Sequence, residues 1–282
     1  MRRAAIALLF AFPAMAQVQQ LWESPAAAVS QNLGLTRIDL SYHRPAVKGR
    51  VIWGQLVPFD QVWRAGANDA TSLTFSTDVR VAGKPVSKGT YALFILPQKD
   101  RWTVILNKDA KQWGAFFHKP EQDVLRFELT PEPTTHQERL AFSIDVKDRD
   151  TALVSLHWEK LRISFPITAE VEAIYQAYLK EEVAKADVNP DKKAAWSAYF
   201  LAAKYYINGD RLTEAEPLLA KATALNENFW AVEWKARLLQ KQGKVKEALP
   251  LLDRAQELAA GKAPKEYIQG LDTLKSEWTK AK

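Results

Sequence analysis

The side chains best suited to chemistry crowd into one stretch. Between Arg44 and Thr71 stand Arg44, Lys48, Arg50 and Arg64, against only two acids, Asp60 and Asp69, with Trp53 and Trp63 interleaved among the cations. Gly49, Gly54, Gly66, Pro45 and Pro58 interrupt any continuous helix or strand there. The stretch therefore predicts a long structured loop, and long ordered loops inside compact domains usually carry function. Arginine presents a planar fork of donors that matches a carboxylate or phosphate. Arg44, Arg50 and Arg64, with Asn68 as a neutral partner, would make an anion clamp. The flat rings of Trp53, Trp63 and Trp113 would offer stacking surfaces to a sugar-like ligand.

A structural reading competes with each of these and carries more weight. Alternation along Ile38, Leu40 and Tyr42 turns Arg44 toward the interior, where a charge must be paired or must hold a ligand. Asp60, Asp69 or loop carbonyls would then pair Arg44 and Arg64 and pin the loop to a sheet, and such networks look the same as functional ones from outside. The tryptophans would cap the end of the fold, because large aromatics bury most of their surface.

Other chemistry finds little support. The chain has no cysteine, which excludes disulfides, thiolate metal sites and cysteine nucleophiles. Its four histidines, His43, His118, His136 and His157, show no local metal-ligand spacing. There is no G-x-S-x-G elbow, no phosphate loop and no dinucleotide fingerprint. No cofactor, no metal and no catalytic residue is assigned.

Behind these residues lie three segments. Arg2 and Arg3, the apolar run Ala4–Phe12 and the small residues Ala14 and Ala16 read as a signal peptide over 1–16, cleaved before Gln17. No stretch is long and apolar enough to span a bilayer. Removing the leader takes Lys+Arg from 39 to 37 against 33 Asp+Glu, so the charge falls from +6 to +4, too small and too dispersed for a nucleic-acid partner.

Over residues 17–167 the hydrophobic period is two. Roughly nine short strands, from Ile38–Tyr42 to Leu161–Phe165, predict an all-β antiparallel sandwich or barrel. Tyr91–Leu96 is apolar on both faces and predicts a central strand. From residue 168 to 282 the period becomes 3.6, with Thr168 as a plausible N-cap. Glu214-Ala215-x-Pro217-Leu218-Leu219 recurs 33 residues later as Glu247-Ala248-x-Pro250-Leu251-Leu252, and Ala203 and Ala222 recur as Ala236 and Ala255. This α-helical domain resembles tetratricopeptide repeats, with Pro264–Trp278 as the capping helix.

The β segment also resembles a known family. Tyr42-His43-Arg44-Pro45-x-Val47-Lys48-Gly49-Arg50, Leu56-Val57-Pro58, Val62-Trp63-Arg64-x-Gly66-Ala67-Asn68 and Gln112-Trp113-Gly114, through Trp158-Glu159-Lys160 and Phe165-Pro166, are similar to domain-of-unknown-function family 2911. The resemblance implies an exported bacterial β domain, sometimes followed by helical repeats, and implies no reaction. His43 stands where such sequences carry a serine, so no role passes to it.

The sequence thus predicts an exported bacterial protein, periplasmic or extracellular. Its β module would bind a small anionic or sugar-like ligand through Arg44, Arg50, Trp63, Arg64 and Asn68, and its helical repeats would bind a protein partner. The alternative is an exported hydrolase or lyase whose groups come from the same loop plus His118 or a carboxylate.

Overall fold

A computed structural model describes residues 21–188 and 191–280. The leader and its cleavage point before Gln17 lie outside the described residues, as do Asn189 and Pro190. The chain divides into two compact units between Ala169 and Glu170.

Among the described residues the first unit holds ten strands: β1 (Ala26–Leu33), β2 (Thr36–His43), β3 (Ser72–Phe75), β4 (Val79–Val81), β5 (Lys84–Val86), β6 (Gly89–Pro97), β7 (Trp102–Asn107), β8 (Asp123–Leu129), β9 (Glu132–Val146) and β10 (Thr151–Thr168). They form a six-stranded sheet in the order β1-β2-β3-β6-β7-β8 and a four-stranded sheet in the order β5-β4-β10-β9, with antiparallel neighbours throughout. Neither sheet closes into a barrel. Aromatic side chains from the two sheets meet edge to face. Tyr42 lies 4.9 Å from Phe142, and Phe127 lies 5.4 Å from Phe165.

The period-two reading locates Ile38, Leu40 and Tyr42 correctly, all buried along β2. Three details differ. The last expected strand, Leu161–Phe165, is not separate but part of one long strand, β10, whose register shifts at Glu159. Glu159 adopts a left-handed φ of 55°, so a bulge absorbs the irregularity without reversing the chain. Val146, which continues the period-two alternation of buried Leu140, Phe142 and Ile144, is 50% exposed at the end of β9. Thr168 ends β10 rather than capping a helix.

Strand β6 is central, as its sequence requires, and Tyr91–Ile95 are all buried. One of its two covers is not a sheet. Ala92, Phe94 and Ile105 cluster with Ala70 under Val62 and Ala115, residues of the connections before β3 and after β7. The long loop is therefore part of the core.

The second unit comprises α1 (Val171–Val188), α2 (Lys192–Asn208), α3 (Leu212–Leu225), α4 (Phe229–Lys241), α5 (Val245–Ala259) and α6 (Lys265–Lys280), each packed on the next. The 33-residue recurrence has a packing basis. Ala203, Ala215 and Ala222 and their counterparts Ala236, Ala248 and Ala255 are all fully buried, where small side chains let helices approach closely. Gly209 and Gly243 stand out of that register, and the backbone explains why. Asp210, with φ 55°, occupies the left-handed turn position that Gly243, with φ 78°, occupies one repeat later. Asp191 caps α2 by accepting from the Lys193 and Ala194 amides, and Asn228 caps α4 by accepting from Ala231.

Candidate functional site

The loop of residues 44–71 joins β2 to β3 and lies along the free edge of β6 beyond the β3 pairing. Trp63 and Ile95 exchange both backbone hydrogen bonds, at 2.7 and 2.8 Å, and the Asp60 amide donates to the Pro97 carbonyl at 2.9 Å. Lys48, Asp60, Ala65 and Asn68 all hold left-handed φ values between 50° and 59°. Such a conformation costs a residue with a Cβ about 1–2 kcal/mol, so the surrounding contacts must impose it. Around Ala65 they are dense. The Thr71 hydroxyl donates to the Ala65 carbonyl at 3.0 Å. A Cβ at Gly66 would stand 2.9 Å from that hydroxyl and 3.1 Å from the His43 carbonyl oxygen. Arg64 is thereby fixed in direction by its neighbours on both sides.

The predicted clamp residues divide into two groups. Arg44 and Arg50 hold backbone: Arg44 Nε donates to the Leu140 carbonyl at 2.9 Å, and Arg50 donates to the Val47 and Ala46 carbonyls at 3.1 and 2.5 Å. Asn68 Nδ2 reaches the Ser24 carbonyl at 3.4 Å. Asp60, a possible partner for these cations, instead accepts from the Gln98 side chain. Lys48 pairs with Glu23.

Arg64 differs from all of them. Its guanidinium makes no hydrogen bond or ion pair among the described residues, and its Nε is sealed from solvent without a partner. Burial alone pulls its pKa below the usual arginine value, with no acid acting in the other direction; the group remains charged at neutral pH. A buried donor left unmade costs about 1–3 kcal/mol, so this is the one predicted cation whose bonding capacity the protein leaves unused.

Arg64 borders two cavities. The smaller, about 280 Å³, is polar and lined by Lys48, Arg50, Arg64 and Asn68, with Trp63 and Trp158 as walls. Arg44 lines neither cavity. The larger, about 510 Å³, is walled by Pro58, Val62, Trp63, Ala115 and Phe116, and His118 shares it with Arg64. Gly114 makes room for Phe116 and Arg64: a Cβ there would meet the Phe116 ring at 2.9 Å and Arg64 Nη1 at 3.8 Å.

The tryptophans belong mainly to the interior. Trp63 is 9% exposed, stacks on Trp158 at 5.8 Å and donates its indole N–H to the Gly66 carbonyl at 3.1 Å. Trp53 packs against Trp63, Trp102 and Trp158 with centroids 4.4–5.9 Å away. Trp113, 44% exposed, packs tilted against Trp22 at 5.5 Å.

Sequence spacing gave no sign of the group beside Arg64. His118 Nε2 lies 2.9 Å from Asp123 Oδ1, and the two side chains are only 7% and 5% exposed. Asp123 also accepts from Asn107 Nδ2 and from Arg126 Nε, each at 2.7 Å. Burial pushes the Asp123 carboxyl up, but the hydrogen bonds from Asn107, Arg126 and His118 outweigh it and hold the acid below the usual aspartate value. An ionised carboxylate only accepts, so His118 Nε2 carries the hydrogen. Nδ1 is left without a hydrogen bond among the described residues and is not sealed off. Asn107 is itself fixed, donating to the Lys119 carbonyl at 3.0 Å and accepting from the Asp109 amide. His118 and Asp123 lie either side of a short 3-10 turn, Pro120–Gln122, and only that turn's geometry brings them together.

Among the described residues no group of three or more His, Asp or Glu could hold a metal ion. Nor is any helix there long and apolar enough to cross a membrane. Residues 24–167, half of the chain, match the family described as Protein of unknown function (DUF2911). The chain belongs to that family. No curated protein and no solved structure matches it. The family's matched span contains the whole loop, the larger cavity, the lining of the smaller cavity except Glu23, and the His118–Asp123 pair.

Proposed function

We propose that the β unit of this DUF2911 protein binds a small anionic ligand through Arg64, and that the helical unit docks a protein partner. The carrying observation is the Arg64 guanidinium, charged, part-buried and without a protein partner among the described residues, in a cavity that also bears the Lys48–Glu23 ion pair, Arg50 and Asn68. A carboxylate or similar oxyanion would meet the two Nη groups, which are unpaired among the described residues and not sealed off, in a bidentate contact that leaves the sealed Nε out of reach. Arg50 and Asn68 would supply further donors, while Arg44 acts as a brace for the loop. In this reading the two sheets stack as a sandwich that presents the loop, and an N-terminal leader exports the protein.

For the helical unit, the support is the buried-alanine repeat, which fits tetratricopeptide-like hairpins, and a groove of about 510 Å³ lined by Leu219, Leu238 and Leu239 with Glu216, Glu227 and Lys235 at its margin. Apolar grooves with charged rims suit a peptide or helix from another protein.

The test is binding of malonate to the full chain by calorimetry, with Arg64→Lys and Asn68→Ala alongside. Lysine keeps the charge but loses the planar fork, so affinity should fall at least tenfold while folding survives. Unchanged affinity in both variants would refute the site. A second reading, an exported hydrolase or lyase, is favoured by the His118–Asp123 pair, because a carboxylate-held imidazole is a common proton acceptor in catalysis.

A further inference from the structure

The larger cavity beside Arg64 combines three features. It offers a cation with unused donors, a hydrogen-bond acceptor of fixed orientation, and apolar walls. The cation is Arg64. The acceptor is His118 Nδ1. Its ring is locked by Asp123 on one edge and by Phe94, edge to face at 5.3 Å, on one side. The walls are Pro58, Val62, Trp63, Ala115 and Phe116, of which Phe116 is 78% exposed at the mouth.

A partner for this set needs a negative oxygen to meet Arg64, a hydroxyl hydrogen to give to Nδ1, and a hydrocarbon body to cover the walls. The cavity, at about 510 Å³, falls within the roughly 300–1,000 Å³ typical of sites for organic ligands. An inorganic anion would satisfy Arg64 but leave the apolar walls facing water.

The geometry points to a second binding site, formed by Arg64 and the Asp123-held His118, for a hydroxy carboxylic acid with an apolar body. This rests on the reading of Arg64 as an anion partner and adds the substrate class that His118 selects. His118 is the specificity-determining residue. It accepts the ligand hydroxyl, while Asp123 and, behind it, Asn107 and Arg126 position the ring. Sites built to pair a hydroxyl discriminate strongly against the analogue that lacks it, because the site's own polar atom is then left unpaired.

Mandelate and phenylacetate differ only by that hydroxyl, so they are the probes, measured by calorimetry on the full chain with each mandelate enantiomer in turn. One enantiomer should bind at least tenfold more tightly than phenylacetate. His118→Gln places an amide N–H where Nε2 stood, keeping the Asp123 contact, and has no atom at the Nδ1 position. In that variant mandelate should fall to the phenylacetate level. Arg64→Met should abolish binding of both. As a readout that needs no variant, the His118 Nδ1 resonance in nitrogen NMR should move on adding mandelate and stay still on adding phenylacetate.

Equal affinities for mandelate and phenylacetate, or a His118→Gln variant that retains the preference, would overturn the inference and leave the anion site standing. Failure of both probes to bind while malonate still binds in an Asn68-dependent way would also overturn it, again sparing the smaller cavity. Failure of malonate as well would remove both.

Discussion

Replacing Arg64 and Arg44 by methionine should move stability in opposite directions. Methionine has similar reach and no donor. At Arg64 the change removes a buried Nε that has no partner among the described residues, a defect that costs about 1–3 kcal/mol when complete. The Arg64 side chain is only part-buried, so the lower end applies and relief of about 1 kcal/mol is expected. For a domain of this size that raises the melting temperature by roughly 2–4 °C.

At Arg44 the same change deletes a charge-assisted bond to the Leu140 carbonyl, which ties the loop to β9. Such bonds are worth about 1.5–3 kcal/mol, so melting should fall by several degrees. Near-ultraviolet circular dichroism of the full chain includes the β unit through the packed rings of Trp53, Trp63, Trp102 and Trp158, alongside the tryptophans of the helical unit. If Arg64→Met melts as far below the parent as Arg44→Met, Arg64 has a structural partner and the anion site loses its basis.

Other outcomes follow from the remaining buried polar groups and the strained turns. The Asp123 carboxyl is held below the usual aspartate value, so its contribution to stability is present above about pH 3.9 and is lost as pH falls through its lower folded value. Asp123→Asn should therefore be less stable than the parent at pH 7 but lose less on going from pH 5 to pH 3, as measured by urea unfolding at each pH. In the helical unit, buried Glu233 accepts from Tyr267 Oη at 2.6 Å and from Arg237 Nε at 2.7 Å. Tyr267→Phe should cost about 1.5–3 kcal/mol in denaturant unfolding followed at 222 nm. Burial, then the Glu233 hydrogen bond, raises the Tyr267 phenol, and its absorbance should not titrate with the exposed tyrosines on alkaline titration. Gly243→Ala, at φ 78° with open space around its Cβ position, should cost about 1 kcal/mol from backbone strain alone, whereas Asp210→Gly at the equivalent turn should be neutral or stabilising by the same assay.

Periodicity was enough to read the two kinds of unit, the buried face of β2, the central place of β6 and the 33-residue recurrence, because each is a local pattern that repeats along the chain. The loop of residues 44–71 was legible too, since glycine and proline forbid regular structure wherever they fall. What local pattern does not carry is which long-range partner a side chain finds. Arg44, Arg50 and Arg64 look alike in sequence. Only the tertiary structure gives Arg44 the carbonyl of Leu140, 96 residues away, and leaves Arg64 Nε sealed without one. Trp53 and Trp63 sit in a loop by sequence but join Trp102 and Trp158 in the interior, because the loop itself packs against β6. His118 and Asp123 are five residues apart with no motif between them. Their pairing depends on a 3-10 turn that folds the chain back and on Asn107 of β7 holding both the turn and the carboxylate. The residue types that could bind an anion were therefore set by the sequence, and which of them stays free to do so was decided by packing, because a charge is left idle only where the fold offers it no partner.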